Sequence, residues 1–164
     1  MVSKERRRYS AQRGKISHER FVAACEFNKK YKTRNSSRQE DMKDHVDVWV
    51  ERRDGKEYGV DVKGGTTYDT VWVEFKNVRG DKGWLYGKAS YIAFDMPEEG
   101  GFLVVPREEL RKYAEKHVTK EFVDKKNAYK KLYQRKERKD VITKLNVADI
   151  KSIKNFSLLR YYRE

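Results

Sequence analysis

The stretch "YGVDVKGG", residues 58–65, decides how this chain is read. Its valines and tyrosine suit a strand, and two glycines end the run. Side chains two apart on a strand share a face, so Asp61 and Lys63 point the same way. An acid and a base so placed are either an ordinary ion pair or half of an active site. The neighbouring sequence has to choose.

Just upstream, "HVDVWVER" (45–52) alternates and is rich in β-branched and aromatic residues. "RDGK" (53–56) supplies a turn, with Asp54-Gly55 as the hairpin signal. Residues 45–63 therefore read as a hairpin, and "TVWVEFKN" (70–77) reads as a third strand. Before them, "ISHERFVAACEFNKKY" (16–31) reads as an amphipathic helix with Phe21, Ala24, Cys25, Asn28 and Tyr31 along one stripe. Ser17 is its candidate N-cap. "KTRNSSRQEDMKD" (32–44) is polar and loop-like, with room for one short strand.

Downstream, "VRGDKGWLYGKASYIAF" (78–94) opens with glycine-rich turns and a helical turn near Trp84. "GFLVVP" (101–106) is a buried strand ended by Pro106, and "REELRKYAEKHV" (107–118) is a helix. The lysine-rich stretch to Asp140 reads as its continuation, and "VITKLNVADI" (141–150) as a late strand. Helix, three strands, a turn, a strand and a helix make an α/β protein, with a mixed sheet covered by helices.

A chain of 164 residues with 37% hydrophobic and 13% aromatic content supports one domain with a core. Residues 1–16 are basic and aperiodic and read as a flexible segment. Residues 17–164 then form a single domain with a basic C-terminal helical extension. The sequence contains no run of 18 apolar residues, so no transmembrane helix and no membrane partner are expected. "MVSKERRRYS" is followed by no apolar stretch, so no signal peptide is expected either. A single cysteine, Cys25, excludes an internal disulfide and fits a reducing, cytoplasmic location.

The net charge of +13 is unevenly spread. Residues 1–40 hold 12 basic and 4 acidic side chains, a net of +8. Residues 41–110 hold 10 and 15, a net of −5, and residues 111–164 hold 17 and 7, a net of +10. Basic flanks point to a polyanion, most often nucleic acid. An acidic centre has no use in a protein that merely coats phosphate. It does have a use where carboxylates bind phosphate through a metal ion.

Asp47 and Asp61 lie on strands joined by a tight turn, so the hairpin makes them neighbours. Two such carboxylates repel unless a positive charge stands between them. Lys63 is one candidate, and Mg²⁺ or Mn²⁺ is another. A cation of that kind polarises a phosphoryl oxygen and activates water, and a nearby ammonium stabilises developing negative charge.

Asp47 and, fourteen positions on, Asp61-Val62-Lys63, all after a helix, resemble the PD-(D/E)XK nuclease superfamily of restriction enzymes and archaeal Holliday-junction resolvases. The stretch 71–94 is similar to small phage-encoded members. The resemblance covers roughly residues 15–110. It implies a restriction-endonuclease-like mixed sheet flanked by helices, with an αβββαβ core. It implies a metal-dependent endonuclease that hydrolyses phosphodiester bonds in DNA with Mg²⁺ (or Mn²⁺), and a homodimer. Asp47, Asp61 and Lys63 take the motif's positions. The family's helix glutamate falls on Glu19, with Glu26 as second choice, so Glu19, Asp47 and Asp61 become the metal ligands. The motif's proline is missing, with Val46 in its place.

Glu74-x-Lys76 offers a competing assignment, with Asp61 as the first acid. The first assignment is preferred because Gly64-Gly65 would let a phosphate backbone approach. Glu74 then becomes an outer catalytic group on the neighbouring strand. Other sites are poor. His18, His45 and His117 have no zinc spacing, although His45 is near Asp47. Cys25 reads as core, and no phosphate-binding G-x-x-x-x-G-K-[ST] loop occurs. "GWLYG" (83–87) suits either base stacking or the core. "KKNAYKKLYQRKERK" (125–139) mixes cations and tyrosines as a nucleic-acid surface would. A non-catalytic nucleic-acid-binding protein on the same fold, or a ribonuclease, remains open.

Overall fold

The computed structural model describes residues 4–64 and 69–162. It is a mixed α/β protein: among the described residues, four helices, a curled six-stranded mixed sheet and a two-stranded sheet. Helix α1 (Lys4–Asn28) leads into β1 (Tyr31–Asn35), short helix α2 (Arg38–Asp44), β2 (Val48–Arg52) and β3 (Glu57–Lys63). Strand β4 (Thr70–Lys76), β5 (Tyr91–Met96), β6 (Gly101–Pro106) and α3 (Arg107–His117) follow. The chain ends with β7 (Val141–Asn146), α4 (Val147–Lys151) and β8 (Ser157–Arg160).

The large sheet runs β1-β2-β3-β5-β6-β8 and the small one pairs β4 with β7. All neighbours are antiparallel except β3 and β5, which are parallel. A parallel pair needs a crossover. Here residues 64–90 make it, carrying β4 and a 3₁₀ turn at Trp84–Tyr86.

Alternation along β5 sorts the two faces of the sheet. Ala93, with Val48, Val50, Val60 and Phe102, packs on Phe21 and Cys25 of α1. Ile92, Phe94 and Met96 pack the other way, with Val71 and Val73 of β4, Leu145 of β7 and Leu110 of α3. Since Asp61 is opposite Ile92 and Lys63 opposite Phe94, both face this second layer, away from α1. On the α1 side, buried Asp95 fastens the helix. It accepts from Ser17 Oγ at 2.7 Å and Arg20 Nη1 at 2.9 Å, and from the Tyr161 hydroxyl.

Several expectations change. The helix begins at Lys4, because residues 4–16 are mostly good helix formers without an apolar stripe to announce them. Residues 4–16, expected as a flexible segment, are therefore helical in their backbone. Ser17 is not an N-cap but a buried mid-helix anchor. Residues 32–44 hold β1 and α2. The "YIAF" run, left within a turn region, is β5. "TVWVEFKN" is a strand, but it belongs to the small sheet. The lysine-rich stretch 118–140 does not prolong α3. It pairs its backbone with β7, Tyr133 and Ile142 exchanging N–H···O bonds at 2.8 and 2.9 Å, and so satisfies groups that a helix would satisfy internally. No described helix is long and apolar enough to cross a membrane.

Strand β8 lies against β6 where Gly101 faces Arg160. A Cβ at Gly101 would strike the Leu159 carbonyl and come within 2.8 Å of Arg160 Cα. Gly101→Ala is expected to destabilise by ~1–3 kcal/mol. Hydrogen exchange should show the loss first at residues 157–160, and unchanged protection there would contradict this packing.

Candidate active site

The end of β3 carries the site. Asp61 is 2% exposed and central in the sheet, between β2 and β5. Its Oδ1 lies 3.0 Å from Lys63 Nζ. Its Oδ2 is fully buried and meets no N–H or hydroxyl donor, and the carboxyl shares a hydrogen bond with that of Asp47. Burial away from such donors is costly for a carboxylate oxygen. The Lys63 ammonium is also 4.8 Å from the centroid of the Trp84 ring, so it stands between a carboxylate and an aromatic face.

Asp47 sits one residue before β2. Its N–H donates to the Val60 carbonyl at 2.9 Å, and its Oδ2 accepts the Val62 N–H at 2.7 Å. The carboxylate thus extends the β2–β3 ladder where the strand backbone runs out, and it is fixed beside Asp61. A third carboxyl joins from α2. Ser37 and Glu40 form a reciprocal capping box at its start, and His45 closes it in the left-handed conformation with φ of 54°. This capped turn brings Asp41 against Asp47, to which it hydrogen-bonds.

All three acids hold their protons more tightly than usual. Asp41 is pushed up to about 6, first by its hydrogen bond to Asp47, then by burial and the Asp47 charge. Asp47 is raised by burial and by the Asp61 charge. Asp61 is raised by burial, against the pull of Lys63. His45, half-buried nearby, is lowered by burial and by the Lys63 charge.

The structure therefore brings together Asp47, Asp61 and Lys63, and adds Asp41 and His45. Glu19 is not among them. Its side chain is 64% exposed and pairs with Lys15 along α1 at 3.9 Å. The reason is topological: α1 covers the face of Val60, whereas Asp61 and Lys63 look the other way. Glu26 is exposed as well. Glu74 does not lie on a strand beside β3, since β4 pairs with β7. It approaches from the second layer, its Oε1 accepting the Trp84 N–H at 3.3 Å, and its charge reaches His45. Lys76 is exposed, so Glu74-x-Lys76 does not form a second motif beside Asp61.

Gly64 is small for another reason than phosphate approach. A Cβ there would come within 2.9 Å of Ser17 Cβ, so the residue admits α1. Gly65 lies outside the described residues. Trp84 is core at 7% exposure. Cys25 is buried and free, with its thiol pushed up to about 12 by burial. Asp41 had one signal in the sequence, the S-x-x-E spacing of Ser37 and Glu40 that caps its helix.

Among the described residues, no group of three or more His, Cys, Asp and Glu side chains is arranged to hold a metal ion unaided. Mg²⁺ does not require such a cage, since it binds through one or two carboxylates, keeps several waters and takes substrate phosphate oxygens. Asp47 and Asp61 are hard-oxygen donors of that kind, the donor chemistry that suits Mg²⁺ or Mn²⁺. Comparison with family models, curated proteins and solved structures yields no match for this chain.

The raised carboxyl of Asp41 makes a stability prediction. A proton held to about pH 6 in the fold but to about 3.8 in the open chain favours folding below that window. The gain is lost as pH rises from about 4 to about 6. Asp41→Asn should therefore raise the melting temperature at pH 8 and leave it little changed at pH 4. After solvent screening of this exposed side chain, the effect is ~1 kcal/mol or less. Thermal melts of both proteins at the two pH values check it, and a destabilised variant at pH 8 would contradict it.

Proposed function

We propose that the protein is a metal-dependent nuclease that hydrolyses phosphodiester bonds in DNA, on a restriction-endonuclease-like core of the PD-(D/E)XK type. The observation that carries this reading is the buried Asp61 carboxylate, with one oxygen on Lys63 and the other without an N–H or hydroxyl donor beside Asp47. An ordinary surface ion pair would not bury a second carboxyl oxygen away from N–H and hydroxyl donors and against another carboxyl. The element order supports the reading too. A helix precedes the sheet, the acid stands at the start of the second strand, and Asp61-x-Lys63 ends the third.

Asp47 and Asp61 would hold the cation, Mg²⁺ or Mn²⁺, and Glu19 drops out of the ligand set. The bound cation supplies Lewis-acid polarisation of the phosphoryl oxygen and a more acidic water. Lys63, fixed between Asp61 and Trp84, stabilises the negative charge that grows on the phosphoryl oxygens. Trp84 and Phe94 make one wall of the Lys63 pocket apolar, which strengthens that interaction. Asp41 orients Asp47 and keeps a proton away from it. His45 and Glu74 border the site, His45 within reach of the Lys63, Glu74 and Asp47 charges.

The basic surface would hold the strand. In the 125–139 segment Lys125, Lys126, Lys136 and Lys139 are exposed, and Tyr129 is 41% exposed. Other cations of that segment are tied to their own chain, Lys130 to Asp149 at 3.3 Å and Arg135 to Asp140 at 2.5 Å. The exposed four supply salt-sensitive phosphate binding.

Labelled linear, branched and single-stranded DNA, incubated with Mg²⁺, Mn²⁺ or EDTA, tests the proposal. Cutting should require the cation. Asp61→Asn and Lys63→Ala should each lower the rate by ~100-fold or more, with DNA affinity in EDTA nearly unchanged. Full activity in either variant would sink these roles. Binding without cutting on every DNA would favour a non-catalytic binding protein, and cutting of matched RNA alone would favour a ribonuclease.

A further inference from the structure

The sheet has a second concavity on the face turned away from the acid cluster. A cavity of about 160 Å³ lies between α1 and the strands. Its walls are apolar: Phe21, Cys25, Val50, Val60, Val104 and Leu159. Its mouth is aromatic and basic, with Tyr31, Arg52, Tyr58 and Tyr91. Asn28 and Ser157 also line it and offer hydrogen-bonding groups. A wider groove continues outward, sharing Tyr31, Arg52 and Tyr91 and adding Lys30, Arg53 and Phe156.

The mouth is held in shape by stacking. The Arg52 guanidinium lies 4.6 Å from the Tyr58 ring centroid and 5.9 Å from that of Tyr91. Arg52 Nη2 donates to the Tyr91 hydroxyl at 3.3 Å. The two rings are 5.8 Å apart and inclined at 68°. Tyr31, Tyr58 and Tyr91 all remain half-buried beside space they do not fill.

The chemistry of the lining selects that occupant. An apolar slot with ring faces at its entrance suits a flat ring. The space is smaller than the ~300–1,000 Å³ of drug-sized sites, which limits it to one such ring. Lys30, Arg52 and Arg53 outside it call for an anion on the same molecule. The groove's acid, Asp54, is engaged by its own turn, accepting the Lys56 N–H at 2.9 Å. A flat ring on an anionic backbone is an unpaired nucleotide of a single strand.

We propose that this concavity binds one unpaired base of single-stranded nucleic acid, its mouth framed by Tyr58, Tyr91 and the Arg52 packed on them, with Lys30 and Arg53 on the flanking phosphates. Tyr58 lies three residues before Asp61 along β3, about 10 Å away, and on the opposite face. The base would anchor a strand away from the acid cluster rather than enter it. The proposal shares the nucleic-acid ligand of the nuclease reading but needs none of its catalytic residues.

Fluorescence anisotropy in EDTA tests it, with a short labelled single-stranded DNA and the same oligonucleotide lacking its bases. The protein should bind the base-bearing strand about tenfold tighter or more. Tyr58→Ala and the cavity-filling Val104→Phe should each remove most of that preference, with melting curves confirming that both fold. Asp61→Asn should keep it, so the outcome does not depend on cutting. Equal affinity for both strands, or a preference untouched by both mouth and cavity variants, would overturn the proposal. Laurate binding that the oligonucleotide cannot displace would assign the cavity to an acyl chain and overturn it as well.

Discussion

The structure turns on burying the Asp61 carboxylate in the middle of a sheet. Removing a carboxylate from water is expensive, and the cost falls only when charge and hydrogen bonds replace the lost solvent. Lys63 replaces part of it, at 3.0 Å on Oδ1. At Oδ2 no N–H or hydroxyl takes the solvent's place, and the carboxyl is left to share a hydrogen bond with that of Asp47. Asp47, fixed nearby through Val62, makes matters worse by adding like charge. Such a cluster is stable only if it keeps protons or gains a cation. A divalent cation is the neutraliser on which the proposed function relies.

Much of the surrounding architecture follows from holding that arrangement. The β2–β3 register, with Val48 opposite Val60, places Asp47 beside Asp61, the first residue of the motif. The parallel β3–β5 pairing puts Asp61 beside Ile92, deep in the second layer. The crossover between those strands returns through the Trp84 turn, which covers Lys63 and contacts Glu74. Helix α2 is only seven residues long, yet capped at both ends. An uncapped helix of that length would be marginal, and Asp41 would not be held against Asp47.

Local signals made some of this legible in the sequence. The Asp54-Gly55 turn and the alternation on either side of it located β2 and β3, and with them the neighbouring Asp47, Asp61 and Lys63. Period-two alternation settled that Asp61 and Lys63 share a face, but it could not say which face α1 would cover. That is why Glu19 was misplaced: the helix stripe of Phe21, Ala24 and Cys25 predicted that α1 packs, not on which side of the sheet. The pairing of β4 with β7 was illegible for a related reason. Partners 70 residues apart are chosen by tertiary packing, and "TVWVEFKN" would suit either sheet. Residues 118–140 misled because lysine is a good helix former, while the backbone pairing with β7 is non-local.

Binding of the cation itself is the most direct test of the central claim. Mn²⁺ titrated into the free protein, followed by calorimetry or electron paramagnetic resonance, reports binding without any need for substrate or turnover. The account predicts a saturable site that Asp61→Asn and Asp47→Asn each weaken strongly, while Glu19→Gln leaves it intact. Absence of saturable Mn²⁺ binding with and without DNA, or a site lost in Glu19→Gln but kept in Asp61→Asn, would contradict it.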